Sequence, residues 1–174
     1  MRYSNGMKQL IIIAHNLRSA HNVGSLLRTA EGMGISEVIL SGYTPFPPLA
    51  SGDPRLPHEQ LKVAKLIHKT ALGAENTQKW QRDTDVMSRI RQLKDDGYTV
   101  AALEQSATSV MLPSYAAPGK LAIMLGREVE GVEPEVLAAC DVHLEIPMFG
   151  SKESYNVVQA AAMAMYHCRL IANS

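Results

Sequence analysis

Leu10–Ala14 (LIIIA) is an unbroken apolar run with three β-branched residues at its centre and polar turn material directly after it. A strand with no polar face must be covered on both sides, which is the pattern of a parallel sheet packed between helices. Val23, Leu26, Leu27, Ala30 and Met33 then recur at helical spacing, the pattern stops near Gly32 and Gly34, and Glu37–Leu40 (EVIL) resumes as strand. Parallel neighbours need a crossover of this kind. Thr99–Leu103, Lys120–Leu125 and Val142–Ile146 read as further strands. Helical spacing is expected over 58–70, around Arg89–Leu93, from Pro134 to Ala139 and over 157–171. The fold class is α/β, with a mostly parallel sheet of about five or six strands flanked by helices.

Residues 43–57 carry Pro45, Pro47, Pro48, Pro54 and Pro57, which fix φ and remove backbone donors, so an irregular surface excursion is expected there. The chain of 174 residues suits one domain over residues 1–174, with no linker, repeat or separate RNA-binding unit. Lys plus Arg (17) equals Asp plus Glu (17), so no global positive field recruits a polyanion and any nucleic-acid contact must be local. Cys140 and Cys168 are far apart and lack metal-ligand spacing, which reads as reduced thiols in a cytoplasmic protein. The six histidines form no helical pair and meet no cysteine suited to zinc, so no metal is expected. No apolar run reaches membrane-spanning length, and the one near the start is too short for a secretory signal.

Three glycine-bearing polar blocks sit at the edges of apolar runs, where α/β sheets collect ligands. In the first, Asn22, Gly24 and Arg28 open a helix, and the Arg28 guanidinium offers a planar fork matched to phosphate, with pairing to Glu31 on a solvated face as the alternative. In the second, Gly126 and Gly131 allow a tight turn after a buried strand, while Glu128 is placed either to orient backbone donors or as an ordinary loop carboxylate. The third runs from Ile146-Pro147-Met148 through Gly150, Ser154 and Asn156 into an alanine-rich helix, with side chains that cap backbone donors or hold a ligand. Neither the phosphate-loop pattern nor the Gly-x-Gly-x-x-Gly dinucleotide fingerprint is present.

Asn22-Val23-Gly24-Ser25-Leu26-Leu27-Arg28-Thr29-Ala30, then Gly126, Glu128 and Gly131, then Ile146-Pro147-Met148, Gly150, Ser154, Asn156, Val157 and Ala160 follow in order. Together they resemble the three motifs of the SpoU-type (TrmH-like) RNA ribose 2′-O-methyltransferases of the SPOUT superfamily. Tyr155 and Val158 depart from that pattern, which has leucine and serine there. The resemblance spans residues 10 to 170 and implies a C-terminal deep trefoil knot, an exception to the rule that chains do not thread themselves. It also implies S-adenosylmethionine as cofactor, held at Leu103, Gly126, Ile146, Met148, Ser154 and Tyr155. Arg28, Asn22, Glu128, Ser154 and Asn156 take the catalytic and positioning roles. Homodimerisation is implied through the terminal helix, with Ala160, Ala161 and Ala164 allowing close approach or, alternatively, facing the chain's own core. RNA is the implied partner, tRNA in preference to rRNA, contacted by Arg18, Arg28, Arg55, Lys62, Lys65, Lys69 and Lys152. A catalytically silent knotted homologue that binds RNA or serves assembly is the competing expectation.

Overall fold

The computed structural model describes residues 8–170. Strand β1 (Gln9–His15) is followed by helix α1 (Ala20–Gly32), β2 (Glu37–Ser41), α2 (Pro57–Ala71), the single turn α3 (Ala74–Thr77), β3 (Trp80–Asp83) and α4 (Val86–Asp95). Then come β4 (Thr99–Leu103), β5 (Val110–Met111), a 3-10 turn (Leu112–Ser114), β6 (Lys120–Leu125), α5 (Pro134–Ala139), β7 (Val142–Glu145) and α6 (Val157–Leu170). The strands form one parallel sheet in the order β3-β2-β1-β6-β4-β7-β5.

The apolar runs occupy the middle of that sheet, as their composition requires. Successive strand side chains point to opposite faces, so Leu10, Ile12 and Ala14 join Leu26, Leu27, Ile67, Ala161 and Ala164 in one core. Ile11 and Ile13 join Ile90, Leu93, Met124 and Val136 in the other. Each fully buried Leu or Ile contributes about 1.5–3 kcal/mol relative to an exposed one, and both faces of β1 are filled this way. α1 starts where Ser19 Oγ accepts from the Asn22 N–H at 3.2 Å. Gly24 lets α1 lie against α2: a Cβ there would stand 2.2 Å from the Ile67 carbonyl oxygen.

The sheet has seven strands, more than the apolar runs indicated, because β3 (WQRD) and β5 carry no buried run of their own. They lie at the two edges, where one side of the ladder faces solvent and polar side chains are tolerated. The proline-rich excursion is irregular as expected. Arg55 closes it from inside, donating from Nε and Nη2 to Asp53 at 2.9 and 2.6 Å and from Nη1 to the Phe46 carbonyl at 2.8 Å, with its guanidinium 3.8 Å from the Phe46 ring. The Arg55 side chain holds the Asp53 carboxyl well below the usual range.

α6 crosses the sheet from its carboxyl edge to the opposite end. There the Arg169 fork donates to the carbonyls of Met33 (3.1 Å), Lys8 (2.6 Å) and Gly34 (2.6 Å). Ala161 and Ala164 are fully buried in this chain's own core, so they are not the small residues of an exposed helix face. The outer face of α6 is instead Gln159, Ala162, Met163, Tyr166 and Leu170. The expected last turn to Ile171 lies outside the described residues. Among the described residues no helix is long and apolar enough to cross a membrane.

Candidate functional site

All seven strands end on the same edge, and the three polar blocks meet there. β6 runs straight into Gly126-Arg127-Glu128, and this loop folds back on itself through paired backbone bonds between Arg127 and Gly131 at 3.0 and 3.1 Å. Gly131 has φ +71°, a region that favours glycine. A Cβ on Gly126 would fall 2.4 Å from the Gly131 carbonyl carbon and the Val132 nitrogen, so only glycine lets the turn close.

The Glu128 carboxylate reaches the start of α1. It accepts from the Arg18 N–H at 3.1 Å, the Ser19 N–H at 3.2 Å and Asn22 Nδ2 at 3.0 Å. Asn22 Oδ1 in turn accepts from Asn156 Nδ2 at 3.5 Å, the long end of the hydrogen-bond range. Asn156 Oδ1 accepts from the Val158 N–H at 2.9 Å and so caps α6. The chain Glu128, Asn22, Asn156 therefore ties together residues more than a hundred positions apart.

Beside this chain lies a crevice of about 310 Å³. Every residue expected to hold the cofactor lines it: Leu103, Gly126, Ile146, Met148, Ser154 and Tyr155. Of the two departures from the motif, Tyr155 lines the crevice, whereas Val158 is buried in the core beneath α6. Among the lining residues not expected as site residues are Glu104, Gln105, Glu145 and Glu153. Glu104 accepts from the Val132 N–H at 3.0 Å, and Gln105 Nε2 donates to the Glu153 carbonyl at 3.1 Å, joining the segment after β4 to the third block. The one sequence signal for Glu104 and Gln105 is position, directly after the buried run Thr99–Leu103.

Burial works against a charge on Glu128, but hydrogen bonds from the N–H groups of Arg18 and of Glu128 itself, from Asn22 and from the Ser19 N–H outweigh it, and the carboxyl is held below its usual value. An unfolded glutamate titrates near about 4.3. Stabilisation from this group is therefore full above that value and disappears as pH falls through the lower folded one. Glu128→Gln should lose about 1.5–3 kcal/mol at pH 7, the range for hydrogen bonds to a charged group. Denaturant titrations should show the gap to wild type closing toward pH 3, and a pH-independent gap would refute the carboxylate's role as anchor.

Behind the second block, His15 at the end of β1 is buried, and burial pushes its imidazole below the usual value, with Glu133 opposing and Arg127 reinforcing. Asn16 Nδ2 lies 3.1 Å from His15 Nε2 and donates to Glu133 Oε1 at 2.7 Å. With Asn16 donating, neutral His15 accepts at Nε2 and donates from Nδ1 to Ser41 Oγ at 3.1 Å. Asn16 holds φ +57° and its Oδ1 accepts from the Tyr43 N–H at 3.1 Å. The ends of β1 and β2 and the start of α5 thus brace the loop that carries Glu128.

The cations are distributed differently from the crevice residues. Arg28 is exposed, lies outside the crevice lining and makes no ion pair with Glu31 or any other described residue. Lys62, Lys65 and Lys69 on α2 and Lys152 in the third block are exposed and likewise unpaired among the described residues. Arg18 is bound to Glu130 at 2.6 Å, and Arg55 is bound to Asp53 inside its own loop at 2.6 Å. Among the described residues no cluster of His, Cys, Asp or Glu is arranged to hold a metal.

Comparison with known proteins agrees with this architecture. A tRNA (guanosine(18)-2'-O)-methyltransferase of Borreliella burgdorferi is 27% identical over 157 residues, covering 90% of this chain and 64% of the relative. A Staphylococcus haemolyticus protein named for the TrmH family of tRNA/rRNA methyltransferases is 32% identical, again over 90% of this chain but 56% of the relative. The chain thus spans less than two thirds of either relative. In fold it resembles the AdoMet-bound rRNA methyltransferase from Sinorhizobium meliloti (TM-score 0.77, 22% identity, 98% of this chain and 62% of that one). It also resembles the A. aeolicus TrmH/SpoU tRNA modifying enzyme (TM-score 0.75, 22% identity, 94% of this chain and 77% of that one). The sequence profile of the SpoU rRNA Methylase family matches residues 9–166, nearly everything from β1 to the end of α6, and the chain belongs to that family.

Proposed function

We propose that this protein transfers a methyl group from S-adenosylmethionine to a ribose 2′-hydroxyl of RNA, tRNA in preference to rRNA. The observation that carries the reading is the meeting of Asn22, Glu128 and Asn156 at the edge of one crevice. The crevice suits the cofactor chemically. Leu103, Leu125, Leu144, Ile146 and Val157 give an apolar wall for a purine, and five carboxylates (Glu104, Glu128, Glu130, Glu145, Glu153) against the single guanidinium of Arg127 favour a cation. Its volume of about 310 Å³ lies within the range of small-molecule sites.

When bound there, S-adenosylmethionine supplies an electrophilic methyl group on a sulfonium. The chain's own contribution is alignment and charge. Asn22, fixed by Glu128, and Ser154 and Asn156 orient the nucleotide's ribose at the crevice edge. Arg28 holds the phosphate and stabilises the developing alkoxide as a cation, since a guanidinium is a poor base. Lys62, Lys65, Lys69 and Lys152, unpaired among the described residues, are available to the RNA backbone.

The reading includes a trefoil knot formed by the last third of the chain. The return of β6 to the sheet centre between β1 and β4, and the pairing of β7 beyond β4 with loops on both sides of one crevice, support it. It also includes a homodimer through α6, supported by the apolar outer stripe of Ala162, Met163, Tyr166 and Leu170, the last two 57% and 46% exposed.

The test is transfer of labelled methyl from S-adenosylmethionine to total RNA from cells lacking the protein, followed by digestion to nucleosides. Label is expected in a 2′-O-methylnucleoside from the tRNA fraction. Label on a base, or none, defeats the reading.

A further inference from the structure

The chain has only two phenylalanines, and they are placed in opposite ways. Phe46 is buried beneath the Arg55 guanidinium, whereas Phe149 is 93% exposed. Phe149 stands in the third block between Met148 and the stretch Glu153–Tyr155, all of which line the crevice. Residues 147–152 make no hydrogen bond or ion pair among the described residues, and none of these covers the Phe149 ring. Val129 of the second block is 83% exposed and is itself a lining residue of that crevice. Lys152, three positions after Phe149, is a free cation.

An exposed aromatic face, with an exposed apolar side chain and a cation available to the same strand, is the combination that holds an unstacked base while leaving its hydrogen-bonding edges free. We propose that Phe149 stacks a nucleobase of the RNA beside the crevice, with Val129 as a further apolar contact to the strand and Lys152 on the adjoining phosphate. This deepens the functional reading above and rests on it. Because every base has a π-face, the contact is sequence-tolerant; it fixes how the strand enters the site rather than which base is chosen. Phe149 is a positioning residue, since it grips the nucleotide away from the transferred methyl.

The test uses the full chain, total RNA from cells lacking the protein, and labelled S-adenosylmethionine. Phe149 is almost wholly solvated, so Phe149→Ala should fold as wild type. It should raise the half-saturating RNA concentration about 10-fold, within the range for loss of one base-aromatic stack. Maximal rate and calorimetric S-adenosylmethionine affinity should stay within about twofold of wild type, the signature of binding shared by ground and transition states. Phe149→Tyr should restore RNA affinity, and Phe149→Leu, apolar without a π-face, should not. An unchanged RNA requirement in Phe149→Ala overturns the proposal, as does rescue by leucine. A halved molecular mass by light scattering also overturns it, since the ring would then belong to a contact between copies. A wild-type protein that labels no RNA defeats the functional reading itself, a result separable from all of these.

Discussion

Replacing Arg28 with alanine should lower methyl transfer to RNA by at least about 10²-fold, the effect of losing one preorganised donor at a site of developing negative charge. Calorimetric affinity for S-adenosylmethionine should not change. The separation follows from where the side chain stands. Arg28 lies six residues after Asn22 on α1, about 9 Å along the helix axis, outside the crevice lining and free of partners among the described residues. No fold contact is lost with it, so the melting temperature should stay within about 2 °C of wild type. A nucleotide whose ribose meets the crevice edge carries its phosphate several ångströms away, toward the cation. Arg28→Lys separates charge from shape: it keeps the charge without the planar fork and should recover only part of the rate. Full activity in Arg28→Ala would remove the mechanism, and a parallel loss of cofactor affinity would place the side chain inside the crevice.

How far the sequence reaches depends on how locally each feature is encoded. The central strands were legible because burial on both faces leaves an unbroken apolar run, as in Leu10–Ala14 and Leu121–Leu125. β3 was not, since an edge strand with the sequence Trp-Gln-Arg-Asp satisfies half its backbone from solvent and needs no such run. The crevice residues were legible as motif positions. Their partners Glu104 and Gln105 were not, because a glutamate and a glutamine after a strand look alike whether they face water or, as here, receive the Val132 N–H and hold the Glu153 carbonyl. Arg55 shows the same limit from the other side. Its sequence neighbourhood reads as a basic surface, and only the folded loop reveals that Asp53 and Phe46 take up its guanidinium. The alanines of α6 were ambiguous for a related reason, since small residues suit close approach to another helix and to the chain's own sheet alike. Their burial settles that Ala161 and Ala164 serve the latter.

Gly126→Ala should be strongly damaging, because the methyl group it adds has no room in the turn that shapes the crevice. The added Cβ meets backbone on every near side, at 2.4 Å from Gly131 C and Val132 N and 2.6 Å from Gly131 O. Backbone cannot rotate aside as a long side chain does, so residues 131–132 must move. Movement there opens the Arg127–Gly131 pairing and pulls the Val132 N–H from Glu104. Overpacking of this kind costs about 1–3 kcal/mol before the lost hydrogen bonds are counted. The same loop carries Glu128, so the tie to Asn22 and the start of α1 loosens with it, and S-adenosylmethionine affinity should fall by about 10²-fold, a loss of roughly 2.7 kcal/mol. Gly32→Ala is the matched control. It adds the same methyl at the end of α1, where nothing lies within 4 Å and φ is not positive. Alanine there should be neutral or stabilise by about 0.5–1 kcal/mol. Thermal melts followed by calorimetry on both variants read the contrast directly. Gly126→Ala that melts and binds like Gly32→Ala would mean that the turn does not shape the crevice.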